Sequence, residues 1–337
     1  MTIKVFCTGL TGYIGGDFLY AVSRAHPDWE ISALFRNETR AGVVLPRYSY
    51  VRAVYGDLDS TELIEEEAAT ADIVYHFASC DHINSAKAIA AGMTRRKSGR
   101  PGYWIHTSGA MILTLESIQK RAFGCHMDIE FDDWQGIQEL LSLPDMAPHR
   151  PVDKIVLEAA SDHVKTAIVC PPTVYGTSRG PGNPQSMQIN EVVGLFLAQG
   201  KAFKVNEGKN IWHEVHVQDL TDMYVRLGEA AVAGGSPATW NEKGYYLAEN
   251  GAFTWGEIIE AIGDIGYEKT LLQQPGAISL RPEEITPIST RFPIFVGCSS
   301  RGRAIRAREL LGWKPTHAGL REELAAIIDL EASVRIN

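Results

Sequence analysis

A chain of 337 residues, 45% apolar and 22% charged, can bury a large core as one α/β domain or as a domain with a smaller lobe. A formal net charge of -9 leaves no basic surplus to neutralise phosphates, which excludes general nucleic-acid binding, and the basic clusters at 95–97 and 301–308 read as solvated faces. No apolar run reaches the ~18 residues of a membrane span, and the N-terminus enters a strand with no room for a signal peptide. The five widely spaced cysteines (Cys7, Cys80, Cys125, Cys170, Cys298) form no CxxC pair, so free thiols in a reducing, cytoplasmic setting are expected.

The chain opens Ile3-Lys4-Val5-Phe6-Cys7-Thr8, a short buried strand. Gly9, Gly12 and Gly15 follow, and then an apolar helix with Ile14, Phe18, Leu19 and Val22. Gly9 permits a tight turn, Gly12 lets the backbone approach an anion, and Gly15 lets the helix pack closely on the sheet. The exposed N–H groups and the positive end of the helix dipole then suit a pyrophosphate. A glycine triplet alone is a weak signal; its place between a strand and a helix makes it a dinucleotide site.

Apolar runs at 31–35, 51–55, 73–78, 103–107 and 166–170 alternate with helical patterns such as 61–69 and 83–93. This rhythm predicts a Rossmann-type, doubly wound parallel sheet covered on both faces. Residues 115–148 break it: the stretch is acidic around 128–133 and ends Pro-rich, and reads as a helix plus an excursion near the site or as a decorated surface loop. After Cys170 a Pro- and Gly-rich region leads to a helix at 189–199 and a strand at 203–205. A helix at 219–231 follows, with Asp219 as its N-cap. Thr254-Trp255-Gly256-Glu257 has capping-box spacing, and a helix at 303–311 stops at Gly312. The expected division is a dinucleotide-binding part, 1–175, whose sheet later segments complete, and a smaller substrate-binding lobe, 176–337.

The end of the second strand bears on cofactor choice. An acid there hydrogen-bonds the ribose 2′-hydroxyl of NAD. Here Leu34-Phe35-Arg36-Asn37 carries none before Glu38, and Arg36, assisted by Arg40, suits a 2′-phosphate. The reading favours NADP(H) over NAD(H).

Several motifs now line up. Thr8-Gly9-Leu10-Thr11-Gly12-Tyr13-Ile14-Gly15 resembles the TGxxGxxG of the extended short-chain dehydrogenase/reductases, the NAD-dependent epimerase/dehydratase group. Gly56-Asp57-Leu58 resembles its adenine-side acidic turn, and His76-Phe77-Ala78-Ser79 its cofactor-lining segment. Thr107-Ser108 is similar to its serine-bearing strand end. Pro171-Pro172-Thr173-Val174-Tyr175-Gly176 is similar to RPxxVYG, Val215-His216-Val217-Gln218-Asp219-Leu220 to VHVxDLA, and Leu310-Leu311-Gly312-Trp313-Lys314-Pro315 to LGWxP. The ordered set covers essentially the whole chain and most resembles uncharacterised fungal members. The resemblance implies cofactor contacts from Gly9, Thr11, Gly12, Tyr13, Ile14, Gly15, Asp57, Leu58, Phe77, Ala78, Ser79, Pro171 and Thr173, and a homodimer.

The family's Tyr-x-x-x-Lys pair sits on one helix, one turn apart. Lys154 takes the place of the lysine, as a ribose-binding and catalytic residue, but Arg150 stands where tyrosine is expected. Arginine does not act as a general acid near neutral pH, though it can stabilise an oxyanion. Three readings stay open. One is hydride transfer with Arg150 as electrophile and water, His149 or Tyr175 as proton source. The second is a redox-neutral isomerisation, epimerisation or elimination with a bound dinucleotide. The third is a non-catalytic dinucleotide-binding regulator. Pro151 directly after Arg150 suits a helix start that turns Arg150 away, and His149 points elsewhere if the helix has already begun.

Ser108, rather than merely capping a turn, is expected to polarise a substrate carbonyl. His82, Gly109, Tyr175 and Ser186 are candidate substrate contacts, in a pocket at the carboxyl ends of the strands that also takes in Asp81 and Trp212. Lys201, Lys204 and Arg303 are too scattered to hold a sugar nucleotide's diphosphate, so a small carbonyl-bearing metabolite is the expected substrate. No cluster has metal-ligand spacing, and no metal is expected.

Overall fold

The structure, a computed structural model, describes residues 2–336. Strand and helix alternate through β1 (Lys4–Thr8), α1 (Tyr13–Ala25), β2 (Glu30–Phe35), α2 (Glu38–Val44), β3 (Arg52–Tyr55), α3 (Thr61–Thr70), β4 (Ile73–His76), α4 (Ile83–Thr94) and β5 (Gly102–Thr107). The chain continues through α5 (Leu115–Gln119), β6 (Phe131–Asp132), α6 (Ile137–Leu141), α7 (Arg150–Glu158), β7 (Val164–Cys170) and β8 (Thr173–Tyr175). Beyond these come α8 (Gln188–Gln199), β9 (Ala202–Val205), β10 (Ile211–His216), α9 (Val217–Val232), β11 (Tyr245–Leu247), β12 (Ala252–Thr254), α10 (Trp255–Glu268) and β13 (Ala277–Leu280). The last elements are α11 (Pro282–Ile285), α12 (Phe292–Phe295), β14 (Gly302–Arg303), α13 (Arg306–Leu311) and α14 (Leu320–Ile336).

Seven parallel strands form the main sheet in the order β3-β2-β1-β4-β5-β7-β11. β4 and β5 are buried along their whole length, which is why their sequences are apolar without alternation. The order reverses between β1 and β4, so a crevice opens at their carboxyl ends. α1 packs on α9, while α3 packs on α4 and α4 on α7. The sheet is completed late, by β11; α8, before it in the chain, and α10, after it, both pack on α14 in a second layer. No helix among the described residues is long and apolar enough to cross a membrane.

Four sequence readings shift. β4 ends at His76, and Phe77 and Ala78 begin the turn beyond it. α9 is capped by the His216 imidazole, which accepts from Gln218 N–H at 3.2 Å, and not by Asp219. Asp219 is taken by other partners: it accepts from the backbone N–H groups of Thr316 and His317, each at 3.1 Å. Thr254 makes no side-chain cap on α10, because Trp255 N–H and Gly256 N–H are already satisfied by the carbonyls of Asn210 and Gly208. α13 starts at Arg306, since Gly302–Arg303 pairs with β6 as a strand; it does stop at Gly312, in the left-handed conformation.

That β6–β14 pairing also explains the acidic excursion. Asp133, fully buried, accepts from Leu247 N–H at 3.0 Å through one oxygen, and from Ile305 N–H and Arg306 N–H at 2.8 Å through the other. One carboxylate thus ties the excursion to the last sheet strand and to the start of α13. Asp133→Ala leaves three buried donors without an acceptor and is expected to lower unfolding stability by about 3 kcal/mol or more in urea titrations, with a smaller loss for Asp133→Asn.

Candidate active site

The glycine turn has the geometry of an anion cradle. Gly9 has φ +84, and a Cβ there would lie 2.8 Å from Ala78 N and from the Phe77 carbonyl carbon. A Cβ on Gly15 would lie 2.4 Å from the Gly9 carbonyl oxygen. Gly12 stands at the N-cap of α1 without a side chain to occupy the first N–H groups. The residues present therefore fit a pyrophosphate against the helix terminus. Tyr13 is tethered by its hydroxyl, which donates to the Gly176 carbonyl at 2.6 Å.

Two cavities meet at this turn. The first, about 230 Å³, is bounded by Gly9 and Thr11, by Arg36 and Arg40, and by Asp57 and Leu58. It has the place of an adenosine site. Both arginines are exposed at its edge and no acid ends β2. Asn37, at the same edge, is used as the cap of α2. The hydrogen bond from Ser60 Oγ and that from Asp59 N–H hold the Asp57 carboxyl below its ordinary pKa.

The second cavity, about 370 Å³, runs from Gly12, Tyr13, Ile14 and Gly15 past Phe77, Ala78, Ser108, Gly109 and Pro171 to Ser186 and Trp212. His149 and Cys80 also line it. His149 is the N-cap of α7 with φ 63 and ψ -19, a left-handed conformation uncommon in a residue with a side chain. Its ring packs on Gly109, where a Cβ would lie 3.0 Å from Nε2. On the other side Nδ1 lies 2.8 Å from Asp81 Oδ1 and 3.3 Å from Cys80 Sγ. Burial works against the imidazolium, but the hydrogen bonds and charges of Asp81 and Cys80 outweigh it and raise the His149 pKa to about 10. The bond from His149 correspondingly lowers the Asp81 pKa.

The helix register puts a different pair on the site from the one expected. Arg150 turns away and its Nη2 donates to the Leu141 carbonyl at 2.6 Å, while Lys154 Nζ reaches Asp145 at 2.9 Å on the surface. Neither lines the cavity. The residues one position earlier, His149 and Asp153, face inward, separated by the same single turn. Asp153 is fully buried; its Oδ2 accepts from Ser108 Oγ at 2.9 Å and from Tyr245 Oη at 3.0 Å. Burial raises its pKa to about 6 against the lowering effect of those two hydrogen bonds. Behind it His106 Nε2 lies 3.6 Å from Asp153 Oδ1, and His76 is packed beside His106. Burial lowers the pKa of both histidines, His76 to about 4, so they are neutral core groups.

Four other candidates are used structurally. His82 caps α4, accepting from Ser85 N–H at 3.2 Å. Tyr175 donates to the Ala318 carbonyl at 2.6 Å and packs edge-on to His216. The buried Thr173 hydroxyl bonds to Gln188 Oε1. Ser79 receives a long bond from Asp81 N–H at 3.4 Å, and neither it nor Thr173 lines either cavity. Although no metal spacing is visible in the sequence, the fold brings possible ligand atoms of Cys80, Asp81 and His149 within 4.8 Å of one another. The 2.8 Å imidazole–carboxylate hydrogen bond accounts for that grouping without an ion.

Three outcomes follow from this geometry. Gly15→Ala is expected to abolish dinucleotide binding in calorimetry while the chain still folds by circular dichroism, because the turn must open to admit the methyl group. In an NMR titration the His149 ring is expected to keep its proton until the pH approaches about 10. Because the His149 folded pKa is raised and that of Asp81 lowered, the stabilisation from the pair is complete just below about pH 6.5, is lost as the pH rises through the folded His149 value, and is lost again in acid once Asp81 takes up a proton. Asp81→Asn is expected to move the His149 midpoint down toward about 6.5.

No family model matches the chain. Among curated proteins it is 38% identical over 342 residues to the oxidase ucsJ of an Acremonium species, covering 98% of each chain. It is 26% identical to an uncharacterised protein of Schizosaccharomyces pombe, covering 96% of this chain and 99% of that protein. Among solved structures, the UDP-glucuronic acid 4-epimerase of Bacillus cereus superposes with a TM-score of 0.69 at 14% identity, over 98% of this chain and 100% of the other. The dTDP-glucose 4,6-dehydratase of Streptomyces venezuelae does so with a TM-score of 0.68 at 16% identity, over 99% and 98%. With the ordered motifs, the seven-stranded parallel sheet and the near full-length match to a fungal oxidase, the chain belongs to the extended short-chain dehydrogenase/reductases, the group of the NAD-dependent epimerases and dehydratases.

Proposed function

We propose that the protein is an NADP(H)-dependent oxidoreductase that interconverts a carbonyl and a hydroxyl group on a small metabolite, with His149 in the role of the missing tyrosine. The observation that carries this is the His149 imidazole itself. It lines the cavity beside Ser108, is kept protonated by Asp81, and has a raised pKa close to that of an ordinary tyrosine. A bound nicotinamide dinucleotide supplies the hydride. His149 gives up the proton to the developing alkoxide or recovers it in the reverse direction. Ser108 sits in the same wall, its own proton directed to Asp153, so its oxygen presents lone pairs to the cavity. That arrangement suits accepting a substrate hydroxyl in the oxidation direction.

The oxidase name of the 38% identical relative supports redox chemistry. The lack of any Asp or Glu among the cavity-lining residues argues against an elimination, which needs a further acid or base. Arg36 and Arg40 at the adenosine cavity support the choice of NADP(H).

Following NADPH oxidation with a panel of aldehydes and ketones tests the reading. His149→Gln is expected to lower kcat by about 10²-fold to 10⁴-fold with little change in NADPH affinity. NADPH binding without turnover on any carbonyl would instead leave the regulator reading. Arg36→Ala is expected to weaken NADPH by about tenfold and leave NADH unchanged. A native protein that binds NADH more tightly than NADPH overturns the NADP(H) assignment.

A further inference from the structure

The five thiols of the chain are not equivalent. Cys7, Cys170 and Cys298 are buried, and burial pushes their pKa values up from the ordinary thiol range, which makes them poor nucleophiles. Cys125 is exposed but lines neither cavity of the site. Cys80 is partly buried and lines the second cavity together with the glycine turn and His149. The backbone fixes its place, because Cys80 follows two residues after Ala78, which is packed against Gly9.

Cys80 also has a charged neighbour. Its Sγ lies 3.3 Å from His149 Nδ1, and Asp81 Oδ1 holds the same nitrogen at 2.8 Å. A longer contact of 3.8 Å joins Sγ to Asp81 Oδ2. The His149 pKa, raised to about 10, lies above the ~8.5 of an ordinary thiol, so the imidazole is the group of the pair that keeps its proton. A negative charge forming on sulfur therefore forms beside a cation, in the cavity that also takes the hydride carrier. That combination serves covalent catalysis on a carbonyl carbon.

We propose that Cys80 is a nucleophile of this site and that the site carries aldehydes on to carboxylic acids. Sγ bonds to the aldehyde carbon, the C=O π bond opens, and the oxygen takes the Nδ1 proton of His149, giving a hemithioacetal on Cys80. That carbon then gives its hydride to the oxidised dinucleotide while the hydroxyl proton returns to His149, leaving a thioester. Water adds to the thioester carbon, the C–S bond breaks, and the thiolate is released beside the imidazolium. The sum is aldehyde, NADP⁺ and water to carboxylic acid, NADPH and a proton. Only an aldehyde leaves a hydrogen on the reacting carbon after sulfur has added, so ketones do not enter this route. The proposal rests on the oxidoreductase reading for its hydride step; the reactivity of Cys80 is independent of it.

Iodoacetamide labelling of the whole native chain, mapped by peptide mass spectrometry, reads the thiol without turnover. Cys80 is expected to be labelled about tenfold faster than Cys125, and NADP⁺ to slow Cys80 and not Cys125. His149→Gln is expected to remove the advantage of Cys80. With NADP⁺ and benzaldehyde or hexanal, the acid-quenched native protein is expected to carry the acyl group on the Cys80 peptide, and carboxylic acid to form in step with NADPH. Cys80→Ser is expected to abolish acid formation and Cys125→Ser to leave it unchanged. A Cys80 that is labelled no faster than Cys125, or that NADP⁺ does not protect, overturns the nucleophile. Aldehydes that are reduced with NADPH but give no acid with NADP⁺ overturn the acid-forming step and leave the hydride-transfer reading standing. A fast, protected Cys80 with no turnover of any carbonyl in either direction sinks the hydride-transfer reading and the acid-forming step with it.

Discussion

The fold turns on one close approach: the backbone of the first turn lying directly against the end of the fourth strand. Gly9 sits within van der Waals reach of the Phe77–Ala78 peptide, and Gly15 brings the first turn of α1 down over the Gly9 carbonyl. Both contacts are backbone on backbone, so no side chain can adapt to relieve them. Because β1 and β4 flank the point where the strand order reverses, this packing fixes the crevice in which both cavities open.

The same turn anchors the loop that closes the second cavity. Asp17, buried in α1, accepts from Arg179 N–H at 2.8 Å and Nη2 at 2.6 Å and from the Thr221 hydroxyl at 2.6 Å. Arg179 also lies over the Tyr20 ring at 4.6 Å. Asn183 N–H then donates to the Thr11 carbonyl at 3.1 Å, laying the loop along the glycine turn. Through these bonds the Gly- and Pro-rich segment after β8 becomes a defined wall carrying Gln185, Ser186 and Met187. A charged pair with one partner buried is expensive to break, so the wall is held in place as part of the core.

Beside the second cavity, a displacement of one residue decides which side chains of α7 face inward. A helix repeats its faces every three to four residues, so Arg150 with Lys154 and His149 with Asp153 are equally well spaced. What separates them is the left-handed turn at His149, which starts the helix there and swings the imidazole onto Gly109 and Asp81. Arg150 is left to satisfy a carbonyl of α6, and Lys154 is left on the surface. Asp153 in turn shares Ser108 and Tyr245, so the serine, the acid and the last sheet strand are joined below the cavity floor.

The sequence by itself determined the sheet, the glycine turn and the family, because strand alternation and a turn that tolerates only glycine leave local marks. It also carried the His149-x-x-x-Asp153 spacing, but nothing local distinguished that pair from its neighbour. Only the tertiary structure decided which pair faces inward, since the choice depends on Asp81 arriving from the end of β4 and Ser108 from the end of β5. The same holds for Asp133, whose three backbone partners lie 114 to 173 residues away along the chain. Hydrogen bonds of that range depend on how the sheet is closed, and sequence spacing contains no measure of it.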